Sequence, residues 1–390
     1  MKKILSIILV CLTVLCCNLQ AYAHDADARL RFDEHGDFTI LHLTDWHTGY
    51  PLPGLQKQLV IESLAAAAPD LVVLGGDLSE ASHEDQPAAL KEICDIFVHA
   101  EIPFVITFGN HDYLHGYTID EMFAFYKEYG GAYFIGADED PALFGCGTCS
   151  IPVYSNDGSR TAYNIYCFDS GDSVEGKGYD SVHNDQIEWY QARAEELKQK
   201  NGGEYVSSVV FQHIIVQEIY DKLFPVANES VHAGVREYDT VTYDLIPIPN
   251  LSNIEDGYIF EKPCPGYYNY GQLDAMSKNG DVRAIFCGHD HYNSFTVKID
   301  GVDIVNTPSV KPHIFLRKIN WGSRVITLHE SGTYESKVLL AIDLAQAKES
   351  KIISSGNVTR MEIAAVKVWK AFADVSMSFW KKITEWIYKF

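Results

Sequence analysis

The chain has 390 residues, of which 47% are hydrophobic and 22% are charged, so it is long enough to bury a large core in one or two globular domains. Its formal net charge of −22 excludes broad nucleic-acid binding, which requires a basic surface. The net charge would not attract an anionic substrate either, so local cations would have to do so.

The first 23 residues have the pattern of a secretory signal peptide. Two lysines precede an apolar run from residue 4 to residue 17, and a small-x-small cleavage site ends at Ala23. A membrane span is the alternative interpretation, but the apolar run is short for crossing a bilayer. We therefore predict a protein exported to the periplasm, the cell surface or the medium.

Beyond this leader, short apolar runs alternate with amphipathic segments, which predicts a mixed α/β fold with a largely parallel sheet. The predicted strands are Phe38–Leu43, Leu71–Leu74, Phe104–Phe108, Tyr163–Phe168, Val209–Phe211, Ala284–Cys287, Ser294–Ile299, Val302–Asn306, Arg324–Leu328 and Ser336–Ile342. The predicted helices are Leu55–Ala67, Pro87–His99, Ile119–Tyr129 and Asn184–Lys198. Residues 221–266 lack periodicity, and they are either a substrate-side insertion or a plain surface excursion.

Five short polar blocks come where predicted strands end. They are Asp45-Trp46-His47, Gly76-Asp77, Gly109-Asn110-His111-Asp112, His213 and Gly288-His289-Asp290-His291. Open α/β sheets bind ligands outside the carboxyl ends of their strands, so blocks that are distant in sequence can converge there. Converging Asp, His and Asn side chains without Cys predict an oxygen- and nitrogen-ligated site for a first-row metal.

The order of these blocks resembles the calcineurin-like metallophosphoesterase superfamily, whose pattern is D-x-H, G-D, G-N-H-[DE], an isolated His and G-H-x-H. The resemblance runs from Phe38 to the strands just after His291. It implies a two-sheet αββα sandwich, within a catalytic domain that we assign to residues 24–345. It also implies a metal-dependent phosphoric ester hydrolase, in which a metal-bridging hydroxide attacks a phosphate ester in line.

The resemblance further implies two divalent or trivalent metal ions, for which Mn, Fe and Zn are candidates. One ion would be held by Asp45, His47, Asp77 and His291, and the other by Asp77, Asn110, His213 and His289. Asp77 is the expected bridge, because a carboxylate offers two oxygens and a negative charge between two cations.

Residues next to Asn110 are the candidates for catalysis and substrate binding. By the resemblance, His111 contacts the phosphate and protonates or stabilises the leaving oxygen, which suits an imidazole near neutral pH. Asp112 either orients His111 or caps the next turn. Asn110 and His111 would bind substrate, and Tyr113 and His115 are weaker candidates, with a surface role the more expected one for His115.

One position departs from the purple acid phosphatase branch of this superfamily. That branch has a Tyr three residues after the bridging Asp, where it ligates ferric iron, whereas this chain has Glu80. A ferric-tyrosinate site is therefore not expected, although the chain still resembles secreted phosphoesterases of that type. The segment Asp185–Tyr190 also resembles that branch.

Removal of the leader leaves six cysteines, an even number that permits disulfides in an exported protein. Cys146 and Cys149 form either a redox pair, a loop staple or parts of two separate bridges. Cys167 and Cys287 lie inside apolar strands and are expected to be small core residues.

Residues 360–390 have the pattern of an amphipathic helix. Its apolar positions are Ala365, Trp369, Phe372, Phe379, Ile383, Trp386 and Phe390, and its polar face carries Lys367, Lys370, Lys381, Lys382 and Lys389. Such a helix either lies at a membrane surface or docks on its own domain or on another subunit.

Two other functions compete with a phosphomonoesterase acting on a phosphorylated small molecule or nucleotide. The first is a phosphodiesterase or nucleotide pyrophosphohydrolase of the same fold. The second is a catalytically silent binding protein that keeps the fold. No predicted ligand is missing from the chain, which disfavours the silent protein.

Overall fold

The computed structural model describes residues 30–225, 235–238, 241–244, 249–312, 315–347, 349–355 and 359–388. Its strands in chain order are β1 (Asp37–Leu43), β2 (Leu71–Leu74), β3 (Phe104–Ile106), β4 (Cys149–Tyr154), β5 (Thr161–Cys167), β6 (Ser173–Val174), β7 (Gly178–Tyr179), β8 (Ser208–Phe211), β9 (Val235–Tyr238), β10 (Val241–Asp244), β11 (Ile254–Tyr258), β12 (Val282–Cys287), β13 (Ser294–Ile299), β14 (Val302–Asn306), β15 (Gly322–His329) and β16 (Tyr334–Leu340). The predicted signal peptide lies outside the described residues and stays a prediction.

The α-helices are α1 (Gly54–Ala67), α2 (Gln86–Ala100), α3 (Ile119–Gly130), α4 (Asn184–Lys200), α5 (Ile219–Leu223), α6 (Gln272–Asn279), α7 (Ala341–Leu344) and α8 (Arg360–Ile387). Short 3₁₀ helices cover Asn110–Tyr113, Gly131–Tyr133, Leu251–Asn253 and Phe315–Asn320. Helix α3 begins with a capping box, in which Thr118 accepts from the Glu121 amide and Glu121 accepts from the Thr118 amide.

Two sheets carry the fold. The first has the order β16-β15-β1-β2-β3, and the second has the order β11-β13-β14-β12-β8-β5-β4. Strands β1, β2 and β3 of the first sheet run parallel, and so do β14, β12, β8 and β5 of the second. The other strands of the two sheets, β15, β16, β4, β11 and β13, pair antiparallel. The predicted largely parallel sheet is therefore correct only for part of each sheet.

The two sheets pack face to face with helices on the outside. One buried cluster joins their inner faces, with Ile40 and Val73 from the first sheet and Val209 and Phe286 from the second. Helices α1, α2, α3 and α8 cover the outer face of the first sheet. Helices α4, α5 and α6 cover the second. The predicted αββα sandwich with a C-terminal helix is confirmed. Burial on both faces explains why these strands are continuously apolar.

Several boundaries and elements differ from the sequence prediction. The third strand ends at Ile106 rather than Phe108, and the last strand ends at Leu340, after which Ala341 begins α7. Strand β4 was missed because it is an edge strand that alternates buried and half-buried residues and contains Pro152, which only an edge position tolerates. Helix α6 was also missed.

The segment 221–266 is not simply an irregular loop. It contains the end of α5, the antiparallel pair β9 and β10, and strand β11, which pairs with β13 at the edge of the second sheet. At least the β11 part is therefore integral to the sandwich. Whether the rest contacts substrate stays a prediction.

All six cysteines in the described part of the chain are free thiols, so none of the disulfides that their even number permits is formed among them. Cys149 lies directly opposite Cys167 across β4 and β5, rather than bonded to Cys146. Cys167 and Cys287 are buried in the core, as predicted. Among the described helices, none is long and apolar enough to cross a membrane.

Candidate metal centre

Strand ends from both sheets bring the predicted ligands together. Asp45 and His47 follow β1, Asp77 follows β2 and Asn110 follows β3. From the second sheet, His213 follows β8 and the pair His289 and His291 follows β12. These are the carboxyl ends of parallel strands, where α/β sheets place their ligand sites.

Four of these residues form a first ligand group. Donor atoms of Asp45, His47, Asp77 and His291 all lie within 4.8 Å of one another. The Nε2 atoms of His47 and His291 are 2.8 Å apart, and the His291 Nε2 is 3.2 Å from an Asp45 carboxylate oxygen. The set is the one that the resemblance implied for the first ion.

Asp77, His213 and His289 form a second ligand group, whose donor atoms also lie within 4.8 Å of one another. The His213 Nε2 lies 3.2 Å from Asp77 Oδ2, while Asp77 Oδ1 accepts the backbone N–H of His111 at 2.8 Å. Asp77 thus belongs to both groups, which is the placement a bridging carboxylate needs. The assignment of each residue to an ion stays a prediction.

Buried polar atoms without hydrogen bonds indicate that this centre is suited to bind a cation. In the described part of the chain, His213 Nε2 and Asn110 Oδ1 are buried and accept no hydrogen bond. His213 Nδ1 lies 2.7 Å from the Gly75 carbonyl, so Nδ1 carries a proton, and in the neutral ring Nε2 would offer its lone pair to an ion. Burial disfavours a charged imidazole, yet the Asp77 and Asp45 carboxylates raise the pKa of His213 to about 10. The cluster therefore favours positive charge, which metal ions would supply.

Strained backbone marks the same residues. Seven non-glycine residues of the described chain have positive φ, and three of these are helix C-caps or a hairpin turn: Ala68, Glu101 and Asp300. The remaining four are all predicted ligands: Asp45, His47, Asp77 and His289. Such conformations cost ~1–3 kcal/mol each and persist where the surroundings enforce them, typically at functional sites.

Two glycines are required by close approach to the ligands. A Cβ on Gly109 would collide with the Asp77 carboxylate and backbone. A Cβ on Gly288 would collide with Thr44 and with Asp45. The glycines of the G-N-H-D and G-H-D-H blocks therefore allow neighbouring loops to touch.

A second layer of hydrogen bonds fixes the two aspartates. Thr44 donates its hydroxyl to Asp45 Oδ2 at 2.8 Å, and the His289 amide donates to the same carboxylate at 3.1 Å. Asp112 Oδ2 accepts the amides of Asp77 and Gly109, both at 2.9 Å. Asp112 is thus bonded to the backbone of two ligand loops, which fits the capping alternative rather than the orientation of His111.

His111 lies at the open side of the centre. Its ring meets the His47 ring edge-on, with centroids 4.7 Å apart, and its side chain is partly exposed. Burial of part of the ring lowers the pKa of His111 below its usual value. A partly exposed, neutral imidazole beside the ligands is positioned to meet a substrate.

Tyr113 and His115, the weaker candidates for substrate binding, make contacts within the protein. The Tyr113 hydroxyl donates to the buried Asp169 at 2.6 Å, and burial raises the Tyr113 pKa. The His115 carbonyl lies 2.9 Å from His83 Nδ1, and its half-buried ring interacts with the backbone of Ser79 and Ala81. Both contacts are structural, and a part in substrate binding stays a prediction.

Glu80 has a role that the sequence did not suggest. Its Oε1 lies 2.8 Å from His47 Nδ1 and 3.7 Å from His111 Nδ1, and its Oε2 lies 3.2 Å from the Lys311 ammonium. Although partial burial opposes ionisation, His47 and Lys311 lower the pKa of Glu80. The sequence shows only that Glu80 stands where a related branch has a tyrosine, and its contact with His47, 33 positions earlier, has no local sequence signature. Tyr179, whose ring meets His289 edge-on at 4.2 Å, was also missed.

Comparison with known proteins identifies similar chains. Residues 38–293 match the family model described as calcineurin-like phosphoesterase. The chain is 24% identical over 363 residues to "Probable inactive purple acid phosphatase 14" of Arabidopsis thaliana, covering 83% of this chain and 82% of that protein. It is likewise 24% identical over 384 residues to "Probable inactive purple acid phosphatase 29" of the same plant, covering 90% and 86%.

Among solved structures, a dimetal phosphatase from Danio rerio covers 78% of this chain and 98% of its own, at 10% identity and a TM-score of 0.46.

Proposed function

Since residues 38–293 match its model, the chain belongs to the calcineurin-like phosphoesterase family, and on that premise we propose that it is an active metal-dependent phosphoric ester hydrolase. The observation that carries this proposal is the pair of ligand groups that share Asp77. Two ions held by such groups would acidify a bound water and offset charge on a phosphate. Mn, Fe and Zn all suit the donor set.

The chain's own residues would prepare the site for this chemistry. Asp77 and the imidazoles of His213 and His47 would hold the two ions side by side. Glu80 would keep the His47 Nε2 directed inward by accepting from Nδ1. His111 would hold the phosphate or give a proton to the leaving oxygen, since its ring is the partly exposed imidazole beside the ligands.

The names of the two plant relatives raise a competing function, a binding protein without catalysis. In this chain, each of the seven predicted ligands is present: Asp45, His47, Asp77, Asn110, His213, His289 and His291. Six of them lie in the two ligand groups, and the seventh, Asn110, keeps its buried amide oxygen unbonded. A chain that had lost its metal centre would not need to hold Asp45, His47, Asp77 and His289 in strained conformations, so these observations support a working metal centre, which the proposed activity requires.

The deciding experiment is hydrolysis by protein stripped with a chelator and then reloaded separately with Mn²⁺, Zn²⁺ or Fe²⁺. p-Nitrophenyl phosphate, its bis-ester and a nucleoside diphosphate distinguish a monoesterase from a diesterase and a pyrophosphohydrolase. Asp77→Asn should abolish turnover and weaken both ions, whereas Asp274→Asn, on the exposed surface of α6, should change neither. Metal binding without hydrolysis of any of the three would favour the binding protein.

We also propose that the protein is exported, because residues 1–23 have the signal-peptide pattern. The first residue of the protein recovered from its natural host should then be His24. Recovery of the intact amino terminus would contradict export by this route.

A further inference from the structure

Helix α8 has two apolar faces rather than one. On one face Ile363, Val366 and Ala373 are buried in the core of the first sheet. The helix contacts the 3₁₀ helices Leu251–Asn253 and Phe315–Asn320, and Lys318 forms an ion pair with Glu362. This face alone therefore accounts for docking on the catalytic domain, which is one of the predicted alternatives.

The opposite face of α8 carries what we call the exposed stripe: Met361, Val368, Phe372, Val375 and Phe379. Their side chains are 57–82% exposed. The spacing of seven, four, three and four residues keeps them on one side of a helix that advances 1.5 Å per residue. Ile363 and Val366 lie on the other side at the same level, so the stripe cannot be covered by the contacts that dock the helix.

The stripe is a patch and not a scatter of single residues. Of twelve large exposed hydrophobic residues in the described chain, eight lie on α8: the stripe together with Trp380, Trp386 and Ile387. Isolated exposed apolar residues are normal in soluble proteins, but a contiguous row of this kind marks an interaction site. Aromatic residues among them are typical of helices at a membrane–water interface.

Net charge distinguishes two candidates for the surface that covers the exposed stripe, a second copy of the chain and a lipid membrane. Within 360–387 five basic residues outnumber three acidic ones, a net of +2, so the rest of the chain carries −24 (−22 minus +2). Arg360 and Lys382 are exposed and Lys367 is half-buried, all on the flank that borders the stripe. A second copy of the chain would bring two molecules of net charge −22 together, whereas an anionic bilayer complements the net basic charge of α8.

We propose that the exposed stripe of α8 binds the protein to an anionic lipid surface, with the aromatic side chains entering the interface and the flanking lysines contacting the headgroups. The opposite face keeps the helix docked on the catalytic domain. The enzyme would thus lie on the membrane without α8 leaving its place in the fold. This proposal does not depend on the hydrolytic activity.

Vesicle binding tests the proposal with the full chain. Sedimentation with vesicles of phosphatidylcholine and phosphatidylglycerol should show binding that weakens with salt, and pure phosphatidylcholine should bind far less. Replacing Phe372 and Phe379 together by Ser should lower the partition coefficient at least tenfold. Replacing Lys367 and Lys382 by Gln should lower it about fivefold for each lysine, which is ~1 kcal/mol each.

Matched controls and a local readout separate α8 from other lipid-binding segments, including the apolar leader. Ile61→Ser and Lys57→Gln alter an exposed apolar and an exposed basic residue of α1 and should leave binding unchanged. Brominated anionic lipid should quench tryptophan fluorescence, and a variant with Trp380→Tyr and Trp386→Tyr should lose most of that quenching. Thermal midpoints of all variants should match the parent, since only exposed or half-buried side chains change.

Three results would overturn the proposal. The first is no preference for anionic vesicles, and the second is binding that persists in the double phenylalanine variant. The third is a dimer, detected by light scattering, that the same variant dissociates, because a second copy would then cover the stripe.

Discussion

Glu80 is expected to set the affinity of the ion on the His47 side of the centre. Its carboxylate lies 2.8 Å from His47 Nδ1, and the His47 Nε2 faces Asp77 and His291. A carboxylate that accepts from the second nitrogen of a metal-binding imidazole fixes the ring and makes it more basic. Loss of such a partner costs ~10–100-fold in metal affinity, or about 1.4–2.7 kcal/mol.

Glu80→Gln and Glu80→Ala should lower the metal affinity by different factors. Glu80→Gln keeps an amide oxygen that can still accept from Nδ1, so the loss should lie near tenfold. Glu80→Ala removes the acceptor and the negative charge beside Lys311, so the loss should approach ~100-fold. The other ion should be little affected, because His213 is oriented independently by the Gly75 carbonyl.

Isothermal titration of metal-free protein with Zn²⁺ or Mn²⁺ resolves the two ions. Glu84→Gln, at an exposed acid four residues along, is the matched control and should leave both affinities unchanged. Lys311→Gln should cost less than Glu80→Gln, because it leaves the His47 hydrogen bond intact. Parental affinity for both ions in Glu80→Ala would refute the orienting role, and an equal loss at both ions would show a general loosening of the site instead.

Three further outcomes are expected. His111→Ala should retain both ions and lose ~10²–10⁴-fold in turnover, with a smaller loss for esters that have good leaving groups; loss of metal would instead make His111 a ligand. The iron-loaded protein should lack a tyrosinate charge-transfer band. Observing one would show that another tyrosine reaches the ion, and Tyr179 would be the first candidate, because its ring contacts His289 whereas the Tyr113 hydroxyl is bonded to Asp169. Tyr113→Phe should preserve metal affinity but destabilise the fold, because its hydroxyl donates to Asp169, whose pKa burial raises to about 6. The bond favours the ionised carboxylate, so the loss in unfolding free energy should grow from pH 5 to pH 8, reaching ~1.5–3 kcal/mol, by urea denaturation. A loss that is independent of pH would show that Asp169 does not ionise in this range.

Local sequence patterns predicted the central strands because they are mostly buried on both faces and form short, largely apolar runs. They failed where burial is one-sided or where pairing depends on distant residues. Strand β4 contains Pro152 at a sheet edge, and β11 pairs with β13 across about 40 residues of chain, so neither has a local signature. The prediction of a largely parallel sheet failed for β15 and β16 for the same reason, since these strands come from the far end of the chain and pair antiparallel.

The same distinction applies to the metal centre. The motif residues were predictable because a ligand's chemistry is a property of the residue and its immediate neighbours, such as Gly109 before Asn110. The contacts that orient the ligands were not, because the partners of His47 and Asp77 are Glu80 and Asp112, more than thirty positions away. A sequence motif therefore specifies which atoms can bind an ion, while the surrounding fold determines how rigidly they are held.

Helix α8 shows why periodicity alone could not decide between docking and membrane binding. The sequence prediction placed Trp369 and Phe372 on a single apolar side, but in the structure Trp369 packs against the core cluster whereas Phe372 is mostly exposed. A helix that is apolar on two opposite faces can satisfy both interactions at once, one within the chain and one outside it. The hydrophobic pattern indicates that both faces of the helix are apolar. Only the structure shows which of the two faces is buried against the catalytic domain.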